Sequence, residues 1–83
     1  QLISGMDPDF HRRDLFEALK EVRMRLAKEK NVPPYVIFSD KSLHEMCTFL
    51  PRNADEFLLI NGVGQSKQEK YGDDFLSTIR QYL

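Results

Sequence analysis

Leu15, Leu19, Val22 and Leu26 recur at i, i+4, i+7 and i+11, flanked by Phe16 and Ala18. Arg13, Glu17, Lys20, Glu21 and Lys28 fall on the opposite side. This period predicts an amphipathic surface helix of about five turns, its apolar stripe turned to a core. Pro8 stands just ahead of it, and Asp9 or Asp14 is the expected N-cap. Residues 1–9 carry Gly5 and Pro8 and have no period. They read as a linker or an ordered arm, which leaves 10–83 as the folded unit.

The pattern breaks at Asn31-Val32-Pro33-Pro34, where two prolines remove donors and push their predecessors out of the α region. Tyr35-Val36-Ile37-Phe38 follows, four large residues with no partner strand in the chain. An extended or single-turn connector over the core is expected, with Val36, Ile37 and Phe38 not all exposed. Tyr35 has a polar tip and is expected at the rim. Beside basic residues it would be a stacking platform for a single-stranded base. The alternative is a core tyrosine whose hydroxyl is satisfied locally.

Ser39 or Asp40 is the expected N-cap of a second helix, with Leu43, Met46, Cys47 and Leu50 on its inner face and Pro51 at its close. Asn53, with Glu56 three positions on, predicts a capping-box relative. The third helix is expected over 54–60, with Phe57, Leu58 and Ile60 inward. A fourth is expected over 65–70, ended by Tyr71-Gly72 with the glycine at C′. The fifth starts near Asp73 and turns Phe75, Leu76, Ile79 and Leu83 inward. The expected fold is all-α: a compact bundle of about five short helices without a sheet.

Between the third and fourth helices lies Asn61-Gly62-Val63-Gly64-Gln65-Ser66-Lys67. Gly62 is placed to end one helix, Gly64 to open the next, and Val63 to plug the turn into the core. The N–H groups of Gln65, Ser66 and Lys67 then point outward at the positive end of the new helix, with the Lys67 charge near. That is a helix-hairpin-helix-like corner, able to grip a phosphate without reading bases. The alternative is a corner formed for packing alone.

Eighty-three residues suffice for one domain, and a hydrophobic share of 41% suits a single core. The first residue is Gln1, so the chain is expected to be a piece of a longer protein. No run approaches the apolar length of a membrane span. A lone cysteine, Cys47, rules out an internal disulfide and suits a reducing, cytoplasmic compartment. The net charge is −1, which argues against strong nonspecific nucleic-acid binding. Its distribution is uneven: seven basic residues between Arg12 and Lys30 stand against four acidic ones.

The chemistry of catalysis is missing from the pattern. No phosphate-binding G-x-x-x-x-G-K-[ST] loop occurs, and Gly62-x-Gly64 lacks the third glycine of a dinucleotide fingerprint. His44 and Cys47 stand at i, i+3, but His11 is the only further ligand of that class, too few for a closed zinc site. Cys47 reads as a small buried hydrophobe. Ser39, Ser42 and His44 share one segment without an orienting third partner. Asp73-Asp74 read as charges at a helix N-terminus.

The order of signals nevertheless resembles a known family. Leu15-Phe16-x-x-Leu19-x-x-x-Arg23 comes first, then Asn31 through Asp40, then Leu43, Met46 and Pro51. Asn61-Gly62-Val63-Gly64-x-x-Lys67-x-x-x-Tyr71-Gly72 completes the series. Together they resemble the HRDC domain, the helicase-and-RNase-D C-terminal module, and most of all its version in bacterial RecQ helicases. The resemblance covers roughly residues 9–82.

It implies a bundle of about five helices and an accessory role, with the ATP- and magnesium-dependent motor elsewhere in the parent chain and no cofactor in this piece. It implies weak binding of single-stranded or branched DNA through Tyr35, with Gly62, Val63, Gly64, Gln65, Ser66 and Lys67 as the corner. Arg12, Arg23 and Lys41 would be backbone contacts. Contacts with the helicase core and other DNA-repair proteins are implied as well. A docking module with little DNA affinity is the alternative, in which Tyr35 anchors a protein interface; the RNase D branch is a further one. The net negative charge and Asp73-Asp74 depart from the basic bacterial pattern.

Overall fold

The computed structural model describes residues 8–83, with side chains from Arg13 onward. Five helices follow one another: α1 (Pro8–Lys30), α2 (Pro34–Ile37), α3 (Asp40–Phe49), α4 (Ala54–Phe57) and α5 (Gln65–Gln81). There is no strand among the described residues. The all-α expectation holds, and α1 forms the spine against which α2, α3 and α5 pack, while α4 rests on α5.

Each helix end has a local cause. α1 includes Pro8, Asp9 and Asp14, so neither aspartate is its cap; proline is tolerated in a first turn, where its missing N–H has no intrahelical partner. The rest of the expected arm, residues 1–7, lies outside the described residues. At the other end Asn31 is left-handed at φ 58°. Its N–H donates to the Lys28 carbonyl at 3.2 Å and that of Val32 to Ala27 at 3.0 Å, which is a Schellman closure. Pro33 then caps α2 in extended conformation and Pro34 opens its single turn.

Ser39 caps α3 by accepting the N–H of Ser42. Leu50 closes it in the left-handed region, φ 50°, donating to Met46 at 2.9 Å. Asn53 caps α4 by accepting the N–H of Glu56, and the Glu56 carboxylate returns a bond to the N–H of Arg52, one residue ahead of the box position.

Two helix boundaries differ from expectation. α4 keeps its helical pattern only to Phe57, after which Leu59 and Ile60 donate to carbonyls three residues back and tighten the chain toward the glycine corner. The expected fourth and fifth helices are one. Tyr71, Gly72, Phe75, Leu76 and Ile79 are all buried on one stripe, and its phase runs through the glycine without a break. Gly72 therefore sits inside α5 rather than at a C′ position. Leu83 lies beyond the helix and is exposed, not inward, and Val36 is also exposed.

The core gathers Leu15, Leu19, Leu26 and Ala27 of α1 with Ile37, Phe38, Leu43, Met46, Cys47, Phe57, Ile60, Val63 and the α5 stripe. At its centre the Phe38 ring meets three others edge to face: Phe75 at 5.0 Å, Phe57 at 5.8 Å and Tyr71 at 6.1 Å.

Candidate nucleic-acid interface

The site builds outward from Phe38. The single turn α2 sends Ile37 and Phe38 into the core and leaves Tyr35, three residues earlier, 71% exposed. Lys67, in the first turn of α5, crosses to the same place: its ammonium is 5.5 Å from the centroid of the Phe38 ring. The segment that carries the exposed Tyr35 and the start of α5 thus share one contact residue, Phe38. Lys67 is half-buried, so its charge is seated on the ring rather than swinging in solvent.

The glycine corner is held by α3. Gly62 has φ +89°, as a non-glycine rarely does. Ser42 donates its hydroxyl to the Asn61 carbonyl, and Glu45 accepts the Asn61 N–H at 2.8 Å. A Cβ on Gly62 would lie 2.5 Å from that hydroxyl oxygen, so the close approach itself needs glycine. Val63 is buried, as a plug should be. Gly64 is extended, φ −97° and ψ 176°, and caps α5 with no side-chain bond. A Cβ there would meet nothing within 4 Å, and Gly64, Gln65 and Ser66 are exposed at the positive end of α5.

Lys41 is exposed in the first turn of α3, the turn that Ser42 ties to the corner. Arg12 belongs to α1, but its side chain lies outside the described residues. Arg23, expected as a backbone contact, is turned inward. Its side chain is only 12% exposed, with the guanidinium 2.8 Å from the Asp40 carboxylate and donating at 3.0 Å to the Phe38 carbonyl. It clamps the stretch between α2 and α3, and so positions Tyr35 and the Ser39 cap.

The sequence reading missed what surrounds this clamp. Asp40 is held below the usual carboxylate range by the Arg23 hydrogen bond and charge, which outweigh the opposing effect of burial, with Lys20 and His44 adding less. Arg23, Lys20 and His44 therefore group around one carboxylate, although the whole chain is slightly acidic. Lys20 also pairs with Glu17 at 3.3 Å on the exposed side of α1. The His44 ring lies 4.2 Å from that of Phe16 and nearly parallel to it. Among the described residues, no three His, Cys, Asp or Glu side chains gather to hold a metal.

Residues 12–79 match the family model of the HRDC domain. The chain is 51% identical over 69 residues to the ATP-dependent DNA helicase RecQ of Bacillus subtilis, covering 83% of this chain and 12% of that protein. It is 40% identical over 67 residues to the ATP-dependent DNA helicase UvrD2 of Mycobacterium tuberculosis, covering 81% of this chain and 10% of the helicase. Among solved structures, the third HRDC domain of D. radiodurans RecQ superposes with a TM-score of 0.82 at 34% identity, covering 86% of this chain and 93% of that one. The chain thus spans about a tenth of the length of the helicases it resembles.

Proposed function

The chain belongs to the HRDC domain family, and on that footing we propose that it is the accessory DNA-binding module of a RecQ-type helicase. It binds single-stranded or partly single-stranded DNA weakly and biases which substrates the motor engages. Tyr35 stacks on a base, while Lys67, Lys41 and the open amides after Gly64 hold phosphate. ATP and magnesium belong to the motor in the parent chain, which works in the cytoplasm. The observation that carries this reading is the exposed Tyr35 ring, three residues along the chain from the Phe38 that Lys67 covers.

The test is a fluorescence-anisotropy titration of a labelled single strand at several salt concentrations. Tyr35→Ala should weaken binding by roughly 1–3 kcal/mol, the range for one base–aromatic stack. Lys67→Ala should lower the salt slope by about one. Affinity unchanged in both variants refutes the assignment.

A second reading, docking onto the helicase core, draws on a different surface. Phe49 and Leu59 are 67% and 82% exposed, and with Pro51, Glu56 and Ile60 they line a groove of about 420 Å³. Phe49 ends α3, so the groove opens at the opposite end of that helix from Lys41. Amide resonances that move with added helicase core, and not with oligonucleotide, would favour this reading.

A further inference from the structure

The outer stripe of α3 carries Asp40, Lys41 and His44 at i, i+1 and i+4, and all three are exposed. Facing it on α1 are Phe16, Lys20 and Arg23, one stripe about 10 Å long by the helical rise. The rings of Phe16 and His44 lie 4.2 Å apart and 13° from parallel, and the Lys20 ammonium sits 5.1 Å from the Phe16 centroid. His44 and Lys20 thus both lie against the Phe16 ring. Phe16 holds the imidazole flat on one side, and His44 remains exposed.

A half-buried ring covering another ring would be ordinary packing. An exposed one, held parallel by a neighbour and set among Lys20, Arg23 and Lys41 with Glu17 and Asp40 as the nearby acids, is presented to a ligand. Arg23 bonds both Asp40, on the same helix as His44, and the Phe38 carbonyl, three residues from Tyr35. One mostly buried guanidinium thus ties the segment that carries Tyr35 to the helix that carries His44.

We infer that His44, backed by Phe16, is a second stacking platform for a nucleobase, placed so that a single strand gripped at Tyr35 continues across α3. This rests on the proposed DNA-binding function and names a ligand atom class for a new position: the π-face of an unpaired base. Lys20 and Lys41 flank the strand's backbone on either side of the ring.

The experiment uses this chain with two probes, a short labelled oligothymidylate and an abasic strand of equal length. His44→Ala should weaken oligothymidylate binding about fivefold, the lower end for one stack, while His44→Phe should hold it near wild type. The His44 ring proton resonances should shift with oligothymidylate and stay nearly still with the abasic strand. Ring resonances that stay still with both strands, while those of Tyr35 move, overturn the platform and leave the Tyr35 site standing. Shifts of equal size with both strands also overturn it, by assigning His44 to phosphate. Absence of binding by the unmodified chain overturns both.

Discussion

Replacing Gly72 by alanine tests the continuity of α5 through the sign of a stability change. Inside a helix, glycine is disfavoured by about 0.5–1 kcal/mol relative to alanine, because it gives up more backbone freedom on folding. The substitution also adds one methyl group at a buried position. Against this stands one contact: the new Cβ would lie 2.8 Å from the Gln68 amide nitrogen, with the next Gln68 atoms at 3.4 and 3.5 Å.

That nitrogen is the far end of a flexible side chain, and Gln68 is only half-buried, so it can turn aside at a fraction of the gain. The net expectation is a stabilisation of about 0.5–1 kcal/mol, or roughly 3–6 °C in Tm for a domain of this size. Thermal melts followed by far-ultraviolet circular dichroism, with urea titrations for the free energy, would read it. The same substitution in a Gln68→Ala background should give at least as large a gain. If Gly72 instead closed one helix in the left-handed region before another began, alanine would cost about 1 kcal/mol or more. A loss of that size in both backgrounds refutes the single-helix account.

Other expectations concern the corner and the clamp. Gly62→Ala must force a left-handed alanine into the Ser42 hydroxyl, so chemical denaturation should show a loss of about 2 kcal/mol or more. Gly64→Ala meets open space at an ordinary extended φ and should change stability by less than about 0.5 kcal/mol in the same assay. For Asp40, a carboxyl held below its usual range stabilises the fold above about pH 4, and that part fades as pH falls through the lowered value. Asp40→Asn should therefore flatten the acid limb of a stability-versus-pH curve; an unchanged limb would show that the Arg23 pair contributes nothing.

The features legible in the sequence were those fixed by neighbours along the chain. The Leu15–Leu26 stripe, the Ser39 and Asn53 caps, the break at Asn31–Pro34 and the left-handed Gly62 each depend on a few adjacent residues. Gly72 was misread because a glycine after a tyrosine carries the local mark of a helix end, while the burial of Tyr71, Phe75 and Ile79 in the core, the first two against Phe38, overrides it. Helix α4 was overextended because Leu58–Ile60 continue an apolar pattern that the approach to the corner bends out of helical geometry.

Within the site, Tyr35 and the corner were readable from proline and glycine chemistry. The inward turn of Arg23 was not, since its partners are fifteen and seventeen residues away on another element. The Phe16–His44 stack is a contact between α1 and α3 of the same kind, and only the pairing of those helices reveals it.

Phe38 has a consequence for how the surface behaves. Its ring is wedged among Phe57, Tyr71 and Phe75, its carbonyl is gripped by Arg23, and Lys67 lies across its face. Tyr35 hangs from this keystone by three residues, so a highly exposed aromatic is moored to a buried one. On the proposed function, a strand arriving there would meet a backbone whose ordering was completed when the chain folded, so less of it would remain to oppose capture.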